Sequence, residues 1–223
     1  MNRGKLKRLT TPNERPLMVV YAGPNGAGKS KLTKLLEPQL PSLKVIDADA
    51  IAKTFTDRPK AQADIAAGRE TVRQVRSSIE QKKSFSIETT LGGKSVLGQM
   101  KQAKAAGFHV HLYYVGLNSP ELHIARVAQR VAQGGHDISP EDIRRRFVTS
   151  KQNLPEAMLL ADRTLIFDNT KEYQQAVEVN RGKLKQKLPE NEMPVWVKDV
   201  VKEWKSGIRA AQNKLNNERD LEL

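Results

Sequence analysis

Residues 23–30 read Gly23-Pro24-Asn25-Gly26-Ala27-Gly28-Lys29-Ser30, and this stretch decides the fold. It fits Gly-x-x-x-x-Gly-Lys-Ser/Thr at every fixed position. Glycines let consecutive backbone N–H groups turn inward around a phosphate with no Cβ in the way. Lys29 is the residue that reaches the β- and γ-phosphates of a nucleotide, and the Ser30 hydroxyl suits Mg²⁺. A helix after the loop points the positive end of its dipole at the same anion. The flanks agree. Residues 17–22, LMVVYA, read as a buried strand, and residues 31–36, KLTKLL, read as a helix stopped near Pro38. Strand, loop and helix in that order are what the motif requires.

Outward from the loop, strands and helices alternate. Residues 43–47 read as a second strand and 84–88 as a third, with a long polar helix over about 58–82 between them. That helix carries Ile65, Val72, Val75 and Ile79 at helical spacing. A helix over 93–106 ends at Gly107, and 108–115 (FHVHLYYV) form the strongest strand pattern in the chain. Ser119-Pro120-Glu121 and Ser139-Pro140-Glu141-Asp142 open two further helices, separated by Gly134-Gly135-His136-Asp137. Residues 164–168 make a fifth strand. The expectation is an α/β fold: a parallel sheet of about five strands with helices on both faces.

Three segments follow from composition: a basic N-terminal arm (1–16), a nucleotide-binding domain (17–170) and a charged C-terminal extension (171–223). The extension reads as helical around 172–187 and 195–217. Val195, Trp196, Val200 and Trp204 offer an apolar helix face, suited to docking on the core or to a partner.

The net charge is +13 over 223 residues. Residues 1–16 hold five Lys/Arg against one Glu, and 171–223 hold 11 Lys/Arg against nine Asp/Glu, so no segment is a long single-sign block. Aromatics are 5%, few for a base-stacking surface, which argues against a nucleic-acid partner. A basic cleft serves phosphorylated small molecules equally well. No apolar run approaches the ~20 residues of a membrane span, there are no cysteines, and no signal-like core follows the basic arm. A cytoplasmic protein is expected.

Polar residues at strand ends carry the chemistry, because open α/β sheets bind ligands outside the carboxyl ends of their strands. Asp47 and Asp49 follow the second strand. One can orient Mg²⁺ or its waters while the other takes a proton from an acceptor hydroxyl, or one can simply cap the next helix. Glu88, Thr89 and Thr90 follow the third strand and suit a hydroxylated acceptor. Arg126 and Arg130 share a helix face, and Arg144, Arg145 and Arg146 follow the Gly-Gly break, so the two helices read as an arginine-lined lid. The four histidines show no metal-binding spacing. No Asn-Lys-x-Asp guanine signature occurs, which favours ATP over GTP.

The ordered set of motifs resembles the zeta toxins and zeta-toxin-like P-loop kinases over about residues 17–170. Its pieces are the 22–30 loop, Ile46-Asp47-Ala48-Asp49, Phe85 to Thr90, Tyr114-Val115-Gly116-Leu117, Ile124-Ala125-Arg126-Val127, Gly134 to Ile138, Asn153-Leu154-Pro155 and Phe167-Asp168-Asn169. The resemblance implies ATP- and Mg²⁺-dependent phosphorylation of a sugar hydroxyl of UDP-N-acetylglucosamine, blocking cell-wall precursor synthesis. It implies Asp49 as general base, Lys29 and Ser30 on phosphate and metal, Glu88 and Thr90 on the acceptor, and Arg126 on the phosphates. A separate antitoxin protein that blocks the nucleotide site fits the same picture. The best-characterised toxins carry a second catalytic arginine in the loop after the Arg126 helix. Here that loop has none, and Arg130 or one of Arg144 to Arg146 stands nearest in sequence. Those toxins also have Gly where this chain has Thr89, and Arg where it has Gly92. The alternatives are a P-loop kinase acting on another nucleotide or cofactor, and a nucleic-acid-associated NTP-binding module.

Overall fold

Six consecutive buried residues, Leu17–Ala22, form β1 near the middle of a seven-stranded sheet. The computed structural model describes residues 15–40 and 43–220, so most of the basic arm lies outside the described residues. The other strands are β2 (Lys44–Ile46), β3 (Phe85–Thr89), β4 (His109–Gly116), β5 (Arg163–Asp168), β6 (Gln174–Asn180) and β7 (Lys183–Gln186). They lie in the order β2-β3-β1-β4-β5-β6-β7. The first five pair in parallel, as the alternating pattern requires.

β6 and β7 continue the sheet antiparallel and correct the sequence reading, which made 172–187 helical. The Lys, Glu and Gln content there suits a helix, but Val177 and Val179 alternate inward at the strand period while Glu178 and Asn180 point away. Arg181 and Gly182 both take positive φ (48° and 74°), the two-residue turn that closes a hairpin with the correct twist.

The helices are α1 (Lys29–Leu36), α2 (Ala48–Ala52), α3 (Lys60–Glu80), α4 (Ser95–Ala105), α5 (Pro120–Ala132), α6 (Pro140–Leu160) and α7 (Val195–Asp220). Strand alternation splits the core between two sheet faces. Leu17, Val19 and Tyr21 meet Leu32 and Leu36 of α1 on one face. Met18, Val20, Phe85 and Leu112 meet residues of α3, α4, α6 and α7 on the other. Each large side chain buried this fully contributes about 1.5–3 kcal/mol.

Two helices differ from the sequence reading in detail. In α3 the buried stripe is Ala63, Ala67, Val75 and Ile79, in steps of four or eight along one face, whereas Ile65 and Val72 face solvent at 59% and 48% exposure. In α7, Trp196, Val200 and Trp204 dock on the core together with Val197 and Val201, while Val195 is exposed. Trp196 also donates from Nε1 to Asp168 Oδ1 at 2.9 Å, which ties the extension to the end of β5. No described helix is long and apolar enough to cross a membrane.

Candidate active site

The loop between β1 and α1 sits where the sheet offers it room. Gly23 takes φ +142°, and a Cβ there would lie 2.1 Å from the Val115 carbonyl oxygen. Gly28 takes φ +102°, and its Cβ would lie 2.7 Å from Asn169 Nδ2. Only glycine fits such backbone angles and such close approach. Asn169 Nδ2 donates to Ala27 O at 2.8 Å, and Gly23 N donates to Thr89 O at 3.2 Å. The loop is therefore held from the β5 side and the β3 side at once.

Lys29 is buried. Its Nζ donates to Gly23 O (2.9 Å) and Pro24 O (3.4 Å) and stands 3.8 Å from Glu88 Oε1. Burial pushes the Lys29 ammonium below its usual range. Glu88 and Asp49 pull it back up, and Arg130 and Arg146 press it down again. Burial likewise pushes the Glu88 carboxyl up, with Lys29 opposing and Asp47 and Asp49 adding to the rise. Of the carboxylates near Lys29, Glu88 stands within ion-pair distance.

Asp47 and Asp49 differ in what their side chains bond. Asp47 Oδ1 accepts from Asp49 N at 2.9 Å and caps α2. The side chain of Asp49 makes no such capping bond, and the residue is exposed on the cleft wall. On the neighbouring strand, Glu88, Thr89 and Thr90 lead into a tight loop. Leu91 N donates to Thr89 Oγ1 (3.0 Å) and Gly92 N to Thr90 Oγ1 (3.3 Å). Leu91 is fully buried at φ +56°, a strained angle for a branched side chain, and Asn153 Nδ2 from α6 holds its carbonyl at 2.9 Å.

These pieces enclose a cleft of about 640 Å³. Asn25, Gly26, Gly28, Lys29 and Ser30 line it, together with Asp47, Asp49, Glu88, Thr89, Thr90, Arg126 and Arg130. Gly23, Pro24 and Ala27 are buried and do not line it. Arg126 Nη2 donates to Asn169 O at 2.7 Å, and Arg130 Nη2 donates to His136 O at 2.6 Å. Arg145 and Arg146 reach the cleft as well, while Arg144 turns toward Glu121 at 3.7 Å.

A profile of the zeta toxin family matches residues 2–180. The chain belongs to the zeta toxin family. An uncharacterized protein of Haemophilus influenzae is 39% identical over 129 residues, covering 58% of this chain and 91% of that protein. The structure of the PezAT chromosomal toxin–antitoxin system of Streptococcus pneumoniae superposes with TM-score 0.58 at 15% identity, over 88% of each chain. The AvrRxo1-ORF1:-ORF2 complex with ATP gives TM-score 0.62 at 16% identity, over 78% of this chain and 61% of that one. This chain thus spans about three fifths of that longer relative, and at such identities the two structures share a fold.

Within this zeta toxin family chain, three side chains shape the site that sequence reading did not single out. His123 is fully buried on α5 and donates from Nδ1 to the Asn25 carbonyl at 2.7 Å. That bond fixes the tautomer and leaves Nε2 buried without a partner. Burial lowers its pKa to about 4, with Lys29 and Arg126 adding to the fall against the Asn25 bond. Asn153 and Asn169 are the other two. Both lay inside quoted motifs, yet neither spacing nor charge marked their side chains as supports for the loops.

Proposed function

We propose that this chain is an ATP-dependent kinase that transfers the γ-phosphoryl group of ATP to a sugar hydroxyl of UDP-N-acetylglucosamine or a related UDP-sugar. The observation that carries the reading is the convergence of Lys29, Ser30, Asp49, Glu88 and the lid arginines on one cleft. A phosphate loop alone serves many purposes. A carboxylate opposite it, beside a second polar loop able to seat an acceptor, serves group transfer.

In this reading the Asp49 carboxylate takes the proton of the acceptor hydroxyl. That oxygen bonds the γ-phosphorus, the bond from the γ-phosphorus to the bridging oxygen breaks, and ADP leaves. Lys29 spans the β- and γ-phosphates. Arg126 and Arg130 hold the phosphates from α5, and closure of α5 and α6 excludes water. Asp47, Glu88, Thr89 and Thr90 seat the acceptor. The Ser30 hydroxyl and the nearby carboxylates are hard oxygen donors that fit Mg²⁺, which keeps most of its other ligands as waters and phosphate oxygens. When bound, the ion supplies charge neutralisation at the phosphates.

The reading places the catalytic unit at residues 17–170 in the cytoplasm, with the C-terminal extension as a buttress. It gives the chain a separate antitoxin protein as partner, in line with the toxin–antitoxin system named for the PezAT structure. A kinase acting on another nucleotide or a cofactor is the second reading. Thr89 and Gly92 favour it, because they line the acceptor side of the cleft where the best-characterised toxins have Gly and Arg. Incubation with ATP, Mg²⁺ and UDP-N-acetylglucosamine, followed by mass spectrometry, decides between them. A UDP-sugar heavier by one phosphoryl group is expected. Failure with every UDP-sugar, with phosphorylation of some other metabolite, establishes the second reading.

A further inference from the structure

The arginines of α5 and α6 are not equivalent. Arg144 reaches Glu121, away from the cleft, and Arg145 is 62% exposed and bonded to Asp142 at 2.5 Å. Arg126 is committed to the main-chain carbonyl of Asn169, and Arg130 to that of His136. Arg146 differs from all four. Its Nη1 donates to Asn25 Oδ1 at 3.0 Å, a side chain of the phosphate loop itself. Its other charged neighbour, Asp142, stands 3.7 Å away. Its Cγ lies 3.5 Å from the position a Cβ on Gly92 would take. Arg146 is therefore bonded to the phosphate loop and lies beside Gly92 of the acceptor loop, the two walls between which a phosphoryl group must pass.

The partner it holds is a weak one. A neutral amide oxygen binds a guanidinium less strongly than a phosphate oxygen does, and a guanidinium fork matches phosphate with two parallel bonds. The mooring is nonetheless well placed. The Asn25 carbonyl is fixed by His123 from α5, and α6 is fixed to the acceptor loop by the bond from Asn153 to Leu91 O. Arg146 is 30% exposed, and it lines the same cleft as Lys29 and Asp49.

On the kinase reading above, we propose that Arg146 is a catalytic residue moored on Asn25, and that it exchanges the Asn25 amide for oxygens of the γ-phosphoryl group when ATP enters. It adds a third guanidinium to those of Arg126 and Arg130, from the opposite helix of the cleft.

The test needs no acceptor. The full chain and its variants are titrated with Mg²⁺-ADP and with Mg²⁺-AMP-PNP, which keeps the third phosphoryl group. Arg146→Ala should weaken AMP-PNP about tenfold or more and leave ADP within about twofold, since each tenfold corresponds to about one charge-assisted hydrogen bond. Arg146→Lys should recover part of the loss, and Arg144→Ala should change neither nucleotide. Thermal unfolding checks that the variants are folded, and Arg146→Gln gives the same comparison should the alanine variant unfold. Equal weakening of both nucleotides, or none, overturns the role of Arg146 and leaves the kinase reading standing. A wild-type chain that binds neither nucleotide overturns both.

Discussion

Asp49 is the residue on which the proposed chemistry turns. It follows β2, which β3 separates from the β1 strand that leads to Lys29, and its side chain is free of the capping bond that occupies the Asp47 carboxylate. Asp49→Asn should therefore lower kcat by about 10²–10⁴, the usual worth of a positioned base, with little change in KM for ATP. Steady-state kinetics on the identified acceptor check this. Asp47→Ala should act through the start of α2 as well as on the acceptor, costing about 1 kcal/mol of stability as lost caps do, read by denaturant unfolding. His123 and His111 give a second, independent prediction. Burial holds both near pKa 4, against about 6.5 in an unfolded chain. The unfolded chain thus takes up protons first as pH falls. Stability from these groups is full above about pH 6.5 and is lost as pH falls toward 4. The melting temperature should drop over that window, and His123→Gln should flatten part of the drop. Asp49 and Lys29 were readable because strand ends and the loop pattern mark such positions. His123 was not, since its partner is a carbonyl 98 residues away in sequence and a single histidine on a helix has no pattern of its own.

At the scale of elements, the site depends on how α6 and the β3 loop support one another. Asn153→Ala removes the donor that holds the Leu91 carbonyl in a buried, strained turn. A buried acceptor left unpaired costs about 1–3 kcal/mol. The variant should lose that much stability and raise KM for the acceptor more than KM for ATP, measured by unfolding and by kinetics with each substrate varied. The parallel strands and their crossover helices were legible because apolar runs, Pro-led helix starts and glycine stops all agreed. The β6–β7 hairpin was not, because its polar composition mimics a surface helix. The alternation of Val177 and Val179 and the Arg181-Gly182 turn were the signals that outweighed composition. Ile65 and Val72 misled in the same way: apolar type suggested a core face that small alanines fill instead.

Across the whole molecule, the C-terminal extension completes the fold. Trp196, Val200 and Trp204 close the face of the sheet opposite α1, and the Trp196 indole satisfies Asp168 at the end of β5. Trp196→Ala should destabilise the chain by about 3–5 kcal/mol, the usual cost of emptying such a site, as read by denaturant unfolding. The loop that follows Asp168 carries Asn169, which holds Ala27 in the phosphate loop, so the same variant should also weaken nucleotide binding. On the proposed reading, the Lys and Arg side chains that line the cleft suit a polyanionic nucleotide. The central claim is that this cleft hands the γ-phosphoryl group to a hydroxyl through Asp49. It is tested most directly by supplying ATP isotopically labelled in that group, with Mg²⁺, to a small-molecule extract containing UDP-sugars. Wild-type and Asp49→Asn chains are then compared by mass spectrometry. Label is expected on a UDP-sugar with the wild-type chain, and at least a hundredfold less with the variant. Equal labelling by the two chains, or label released only as inorganic phosphate, would contradict it.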